Sequence, residues 1–146
     1  MTVDCYQVSE VKLLYAGTLH QLCTGEHATE KTVEDETRYP NGKSGAYPAF
    51  VGPVKIEWCS RDGASLSHTV NLSDIFKDRL VLHTEDPTKI FQPRPLLEGQ
   101  PIIIVEINDR TINVYMLVTL QLRPADPSSL RRDQREHRSL AYSHTC

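Results

Sequence analysis

Residues 101–122 constrain the fold of this chain more than any other stretch. The first arm, Pro101-Ile102-Ile103-Ile104-Val105-Glu106-Ile107, is rich in β-branched residues. Such side chains pack well on a pleated surface, and a nearly continuous apolar run suits a strand covered on both faces. Asn108-Asp109 follows, and both residue types tolerate positive φ and bond their own backbone, which favours a tight reversal. In the second arm Ile112, Val114, Met116, Val118, Leu120 and Leu122 alternate with other residues and share one face. A buried hairpin at the centre of a sheet is the expectation.

A second hairpin is expected over 54–72. Val54, Ile56 and Trp58 alternate with Lys55, Glu57 and Cys59, which is the period of a half-buried strand. Ser60-Arg61-Asp62-Gly63 supplies turn chemistry, and Leu66, His68, Val70 and Leu72 fall on one face of the returning strand. Trp58 reads as a core anchor. Near the N-terminus, Val8, Val11, Leu13, Leu14, Tyr15, Leu19 and Leu22 fit one or two strands around Ala16-Gly17. Ser73 is placed to cap a short helix over 74–79, with Asp74 at its positive end. Leu80-Val81-Leu82 and a connection spaced by Pro87, Pro93, Pro95 and Pro101 lead to the central hairpin, and the prolines exclude regular structure along that connection.

These patterns predict a mainly β domain over 1–122, either an antiparallel β-sandwich or a strongly bent sheet of about six to eight strands, with one short helix. A small α+β arrangement is the runner-up. The 146-residue length suits one core. Residues 123–146 are polar and rich in arginine, with too few apolar residues to fold alone, so a mobile tail or a helix formed on contact is expected there.

A charge of -3, from 16 basic and 19 acidic residues, provides no global attraction to nucleic acid or an anionic membrane. No apolar stretch reaches the ~18 residues of a membrane helix. Residues 1–20 lack the pattern of a secretory leader, so a cytoplasmic location is expected, with export after removal of a leader as the alternative. Cys5, Cys23, Cys59 and Cys146 are sparse and widely spaced, which favours reduced thiols. In an exported form Cys5 and Cys23 would be the first pair to inspect, because they flank the same N-terminal strand.

Candidate chemistry is thin. His20, Cys23 and His27 lie within eight residues, as a local zinc site requires, but a fourth ligand from His68, His83, Cys5 or Cys59 has no paired motif behind it. His68 sits among apolar neighbours, either as a base of lowered pKa or as a core or rim imidazole satisfied by one hydrogen bond. Cys59 and His68 would form a nucleophile and base only if the hairpin brought them together, and alternation places them on opposite faces. No phosphate loop, paired-carboxylate motif or dinucleotide fingerprint occurs, so neither catalysis nor a cofactor is expected.

The working surface singled out is acidic: Glu26, Glu30, Glu34, Asp35 and Glu36 lie in an exposed strand and loop over 24–45 that closes at Pro40-Asn41-Gly42. On an extended strand Glu30, Glu34 and Glu36 share a side opposite Asp35. Such an edge deters aggregation, and it equally suits docking of a basic protein. Arg131, Arg132, Arg135 and Arg138 would form a basic stripe if the tail became helical, weakened by Asp133 and Glu136. The functional expectation is a non-enzymatic protein-binding domain, of the immunity-protein or inhibitor kind. A subunit of a larger assembly is the alternative, as is a small enzyme or metal protein using His68 or His20, Cys23 and His27.

Overall fold

The computed structural model describes residues 1–38, 47–48, 50–78, 82, 85–90, 101–124, 126, 128 and 133–146. The expectations for the loop over 39–45, for Arg79, Leu80-Val81 and His83, for Pro93 and Pro95, and for Arg131 and Arg132 lie outside the described residues. The strands are β1 (Thr2–Tyr6), β2 (Ser9–Tyr15), β3 (Thr18–Leu22), β4 (Val54–Cys59), β5 (Ser65–Val70), β6 (Ile102–Asn108), β7 (Thr111–Leu122) and β8 (Asp133–Thr145), with short helices α1 (Val33–Thr37) and α2 (Leu72–Ile75). They form two four-stranded sheets, ordered β1-β6-β7-β8 and β3-β2-β4-β5. The mainly β class with short helices is therefore observed.

The sheets share one core. Val11, Leu13 and Tyr15 of β2 and Val54, Ile56 and Trp58 of β4 belong to the same buried cluster as Ile103, Val105 and Ile107 of β6 and Ile112, Val114 and Met116 of β7. The strict alternation of buried and exposed positions along β2 and most of β4 is what a sheet with one solvated face requires. β6 differs, because Ile104 and Glu106 on its other face are buried too.

The central hairpin forms with Asn108 opposite Thr111, so its two-residue loop is Asp109-Arg110, one position later than the dipeptide read from sequence. Asp109 takes the left-handed conformation there at φ 50. The β4–β5 turn packs against this loop. The Trp58 indole N–H donates to the Asp109 carbonyl oxygen at 2.7 Å, the Arg61 amide donates to Asp109 Oδ1 at 2.9 Å, and Arg110 reaches Asp62 at 2.6 Å. Trp58 is thus both a core residue and a tie between the two sheets.

Four features depart from the sequence reading. β1 pairs with β6 in parallel, Thr2 opposite Ile104, so that sheet is mixed. The region expected to be an exposed strand and loop over 24–45 contains α1, because Thr32 and Asp35 form a reciprocal capping box that satisfies amide groups at the helix start. α2 begins at Leu72, before the expected 74, because the Asn71 side chain accepts from the Ser73 amide and takes the capping place assigned to Ser73.

The fourth departure is the largest. Residues 133–145 of the expected tail form β8, which pairs antiparallel with β7 from Thr111 opposite Thr145 to Leu122 opposite Asp133. Its neighbour β7 supplies the backbone partners and most of the apolar surface, so the segment need not bury much of its own. The domain consequently extends beyond 122 and includes this strand.

Candidate functional site

Segment 24–38 lies across the outer face of the β1-β6-β7-β8 sheet. Its approach is fixed by backbone: the Gln7 amide donates to the Ala28 carbonyl oxygen at 3.0 Å and the Ala28 amide to that of Val8 at 2.8 Å. Beneath it sits Glu106, whose side chain is 1% exposed. Lys31 Nζ lies 2.8 Å from Glu106 Oε2, Arg138 Nη2 lies 3.5 Å from the same oxygen, and Asn113 Nδ2 donates to Oε1 at 3.0 Å. A buried carboxylate demands such partners, since an unpaired one is costly to remove from water.

The same cluster holds aromatic and acidic neighbours. The Arg138 guanidinium lies 4.6 Å and the Lys31 ammonium 5.6 Å from the Tyr115 ring centroid, in cation–π contact. Burial works against the Lys31 charge, but the hydrogen bond and charge of Glu106 outweigh it and hold its pKa above the usual lysine value. Asp4, in register with Glu106, is pushed up by burial and by the Glu106 charge, against the opposing pull of Arg138. Tyr6 is pushed up to about 12, chiefly by burial and then by Asp4. Arg138 also donates to the carbonyl oxygens of Asp35 at 3.1 Å and Glu36 at 3.3 Å, so β8 holds the end of α1.

The five acidic residues of the expected surface therefore divide. Asp35 is turned inward to the cap, accepting from the Thr32 amide and hydroxyl at 2.9 Å, and those bonds hold its carboxyl below the usual range. Glu36 lies 3.9 Å from Lys31, and Glu30 accepts from Gln7 at 3.1 Å with Arg61 3.8 Å away. Among the described residues Glu26 and Glu34 have no ion pair. Because α1 is helical, Glu34, Asp35 and Glu36 fan out around its axis and do not alternate as on a strand. Val33, which precedes them at the start of α1, is 78% exposed. Beside Glu30, Gln7, His27, Ala28 and Arg61 line a shallow depression of about 190 Å³.

The histidine and cysteine candidates go to separate partners. His20 packs edge-on against Tyr47 at 4.7 Å, the Cys23 thiol meets Cys5, and the His27 Nε2–H donates to the Ser60 carbonyl oxygen at 3.1 Å. Among the described residues no group of three His, Cys, Asp or Glu side chains is placed to hold a metal ion. His68 shares a 2.8 Å hydrogen bond with the Tyr142 hydroxyl and stacks on His144 at 3.9 Å between centroids. Burial, with the His144 charge, lowers its pKa. Cys59 contacts the Ser60 carbonyl at 3.8 Å on the opposite side of the sheet from His68, so no nucleophile and base meet there. Arg135 binds Glu85 at 3.0 Å.

Glu106, Lys31 and Arg138 as a unit escape sequence reasoning. The signal was one carboxylate inside a strand read as covered on both faces, which requires a cation from elsewhere in the chain. Compared with known proteins, the chain matches no family model, and no curated protein or solved structure is detectably similar to it. Among the described residues no helix is long and apolar enough to cross a membrane.

Proposed function

We propose that this is a non-enzymatic protein-binding domain whose segment 26–36 docks a partner with a basic surface. The observation that carries the reading is the anchoring of this acidic segment by the Lys31–Glu106–Arg138 cluster, with Glu26, Glu34 and Val33 left facing solvent. A surface held in one conformation loses less entropy on association. An exposed apolar residue on an acidic segment fits a partner that offers an apolar depression bordered by Lys or Arg, with charge governing encounter and register. An immunity-type inhibitor of a toxin or enzyme is the narrower form, in which the basic surface is the target's working site.

The test is capture from native extract, followed by binding of the purified partner at several salt concentrations. Reversal of Glu26, Glu30 and Glu34 to Lys should abolish capture and salt dependence with little change in Tm. Asp35 is left intact because it caps α1. Undiminished, salt-dependent binding by the reversed protein would overturn the reading.

A subunit of a larger assembly is the second reading, favoured by β8. This is a 13-residue strand at the rim of its sheet, with Leu140 54% exposed. Rim strands of that length are templates for pairing with another chain. Light scattering separates the two: an assembly subunit runs as an oligomer alone, and a docking domain runs as a monomer until its partner is added.

A further inference from the structure

β1 and β8 are the edge strands of one sheet and β3 and β5 those of the other. The β8/β5 side is bridged by Tyr142 and His68. The opposite side is bridged by two thiols. Cys5 lies on the core-facing side of β1, in register with Ile107, and its thiol is in hydrogen-bond contact with that of Cys23, which follows β3 directly. Both are half-buried against the core, and the Glu10 amide donates to the Cys23 carbonyl oxygen at 2.9 Å, which fixes the backbone there. Cys59 is directed to the outer face and Cys146 lies exposed at the far end of β8.

We infer that Cys5 and Cys23 form a dithiol site that closes to a disulfide by exchange with a small-molecule disulfide of the glutathione class. Closing the bond brings the two sulfurs from hydrogen-bond contact to about 2.05 Å. The hydrogen bond to Cys23, then burial, pushes the Cys5 thiol well above the ordinary thiol range. Cys23 borders the exposed run 24–27, through which a reagent can approach, so it is the thiol that reacts first, as its thiolate.

The step balances as follows. The Cys23 thiolate attacks one sulfur of the small disulfide, forming a mixed disulfide and releasing one thiolate. Cys5 then loses its proton and attacks the Cys23 sulfur, the mixed bond breaks, and a second thiolate leaves. Two protein thiols are oxidised, one small disulfide is reduced to two thiols, and the two protons from the protein pass to them. The product ties the β1 edge of one sheet to the β3 end of the other.

The test uses the full reduced chain incubated with glutathione disulfide without denaturant, then unfolded in excess N-ethylmaleimide and digested with trypsin. Lys12 lies between the two cysteines, so the link joins two separate peptides. Expected is a Cys5–Cys23 linked pair, maleimide on Cys59, and a Tm raised by about 5–10 °C. Cys5→Ser should stop at a glutathione adduct on Cys23. A Cys5→Ala/Cys23→Ala protein should keep the Tm of the reduced chain and show no rise on oxidation. Maleimide on both Cys5 and Cys23 after oxidation, or linkage of either to Cys59 or Cys146, would overturn the inference.

Discussion

Lys31 places its ammonium 2.8 Å from the Glu106 carboxylate and so fastens the acidic segment to the sheet beneath it. Neither partner is well solvated, with side-chain exposures of 15% and 1%. In such a pair the desolvation cost is met by mutual attraction, and removing one member strands the other. Lys31→Met is expected to cost about 3 kcal/mol, the low end for a broken buried pair because Arg138 remains 3.5 Å away. Lys31→Met combined with Glu106→Leu should recover most of that loss. Urea unfolding of the wild type, Lys31→Met, Glu106→Leu and the double variant gives the coupling, and additive losses would show that the pair does not act as a unit.

The parts of the fold legible in sequence are those in which one strand carries its own pattern. Val54, Ile56 and Trp58 announce their face by period two, and so do the residues of β7. β8 hides because its partner supplies the aliphatic surface: the positions opposite Ile112, Val114, Met116 and Val118 are His144, Tyr142, Ser139 and His137. At a rim such residues suffice, and in a run rich in arginine they read as solvated. The parallel pairing of Thr2 with Ile104 joins segments far apart in sequence and leaves no local trace. α1 spans too few residues to show a helical period, although Thr32 followed three residues later by Asp35 was a readable start signal. Of the candidate surface, the acidic composition was legible and its geometry was not, since the cation beneath Glu106 comes partly from β8.

β8 is expected to be indispensable to the fold. A chain ending at residue 122 would expose the edge of β7 along its length and uncover Val114, Met116 and Val118, and would also remove Arg138 from Glu106. It should lack a cooperative thermal transition and aggregate. In the intact chain, the β8 amide protons directed at β7 should exchange as slowly as those of β7 itself. Fast exchange throughout 133–145, or a cooperatively folded 1–122 chain, would contradict the pairing.

The β2–β3 turn stores removable strain. Tyr15 is opposite Thr18, and between them Ala16 has φ 51 and Gly17 φ 77, so both loop residues are left-handed. This is the turn that matches strand twist, but alanine pays about 1 kcal/mol for that conformation, which asparagine tolerates. Ala16→Asn should stabilise the protein by about 0.5–1 kcal/mol, or about 2–4 °C in Tm. An unchanged or lowered Tm would contradict the assigned turn.

Asp4 gives the cluster a pH signature. Its folded pKa is raised above 3.8, first by burial and then by Glu106, with Arg138 opposing. The folded chain therefore binds this proton more tightly than the unfolded chain does. The Asp4 contribution to stability falls as pH rises through 3.8 to the raised folded value, and above that value its cost is present in full. Asp4→Asn carries no titrating charge and should be more stable than the wild type at pH 7. That advantage should shrink as the pH falls through the same window and vanish once Asp4 is protonated in both states. Comparing the two proteins at each pH cancels the titration of groups they share. Thermal unfolding from pH 3 to pH 7 measures the difference, and an advantage independent of pH, or a destabilised Asn variant at pH 7, would show that Asp4 is not the group strained by burial beside Glu106.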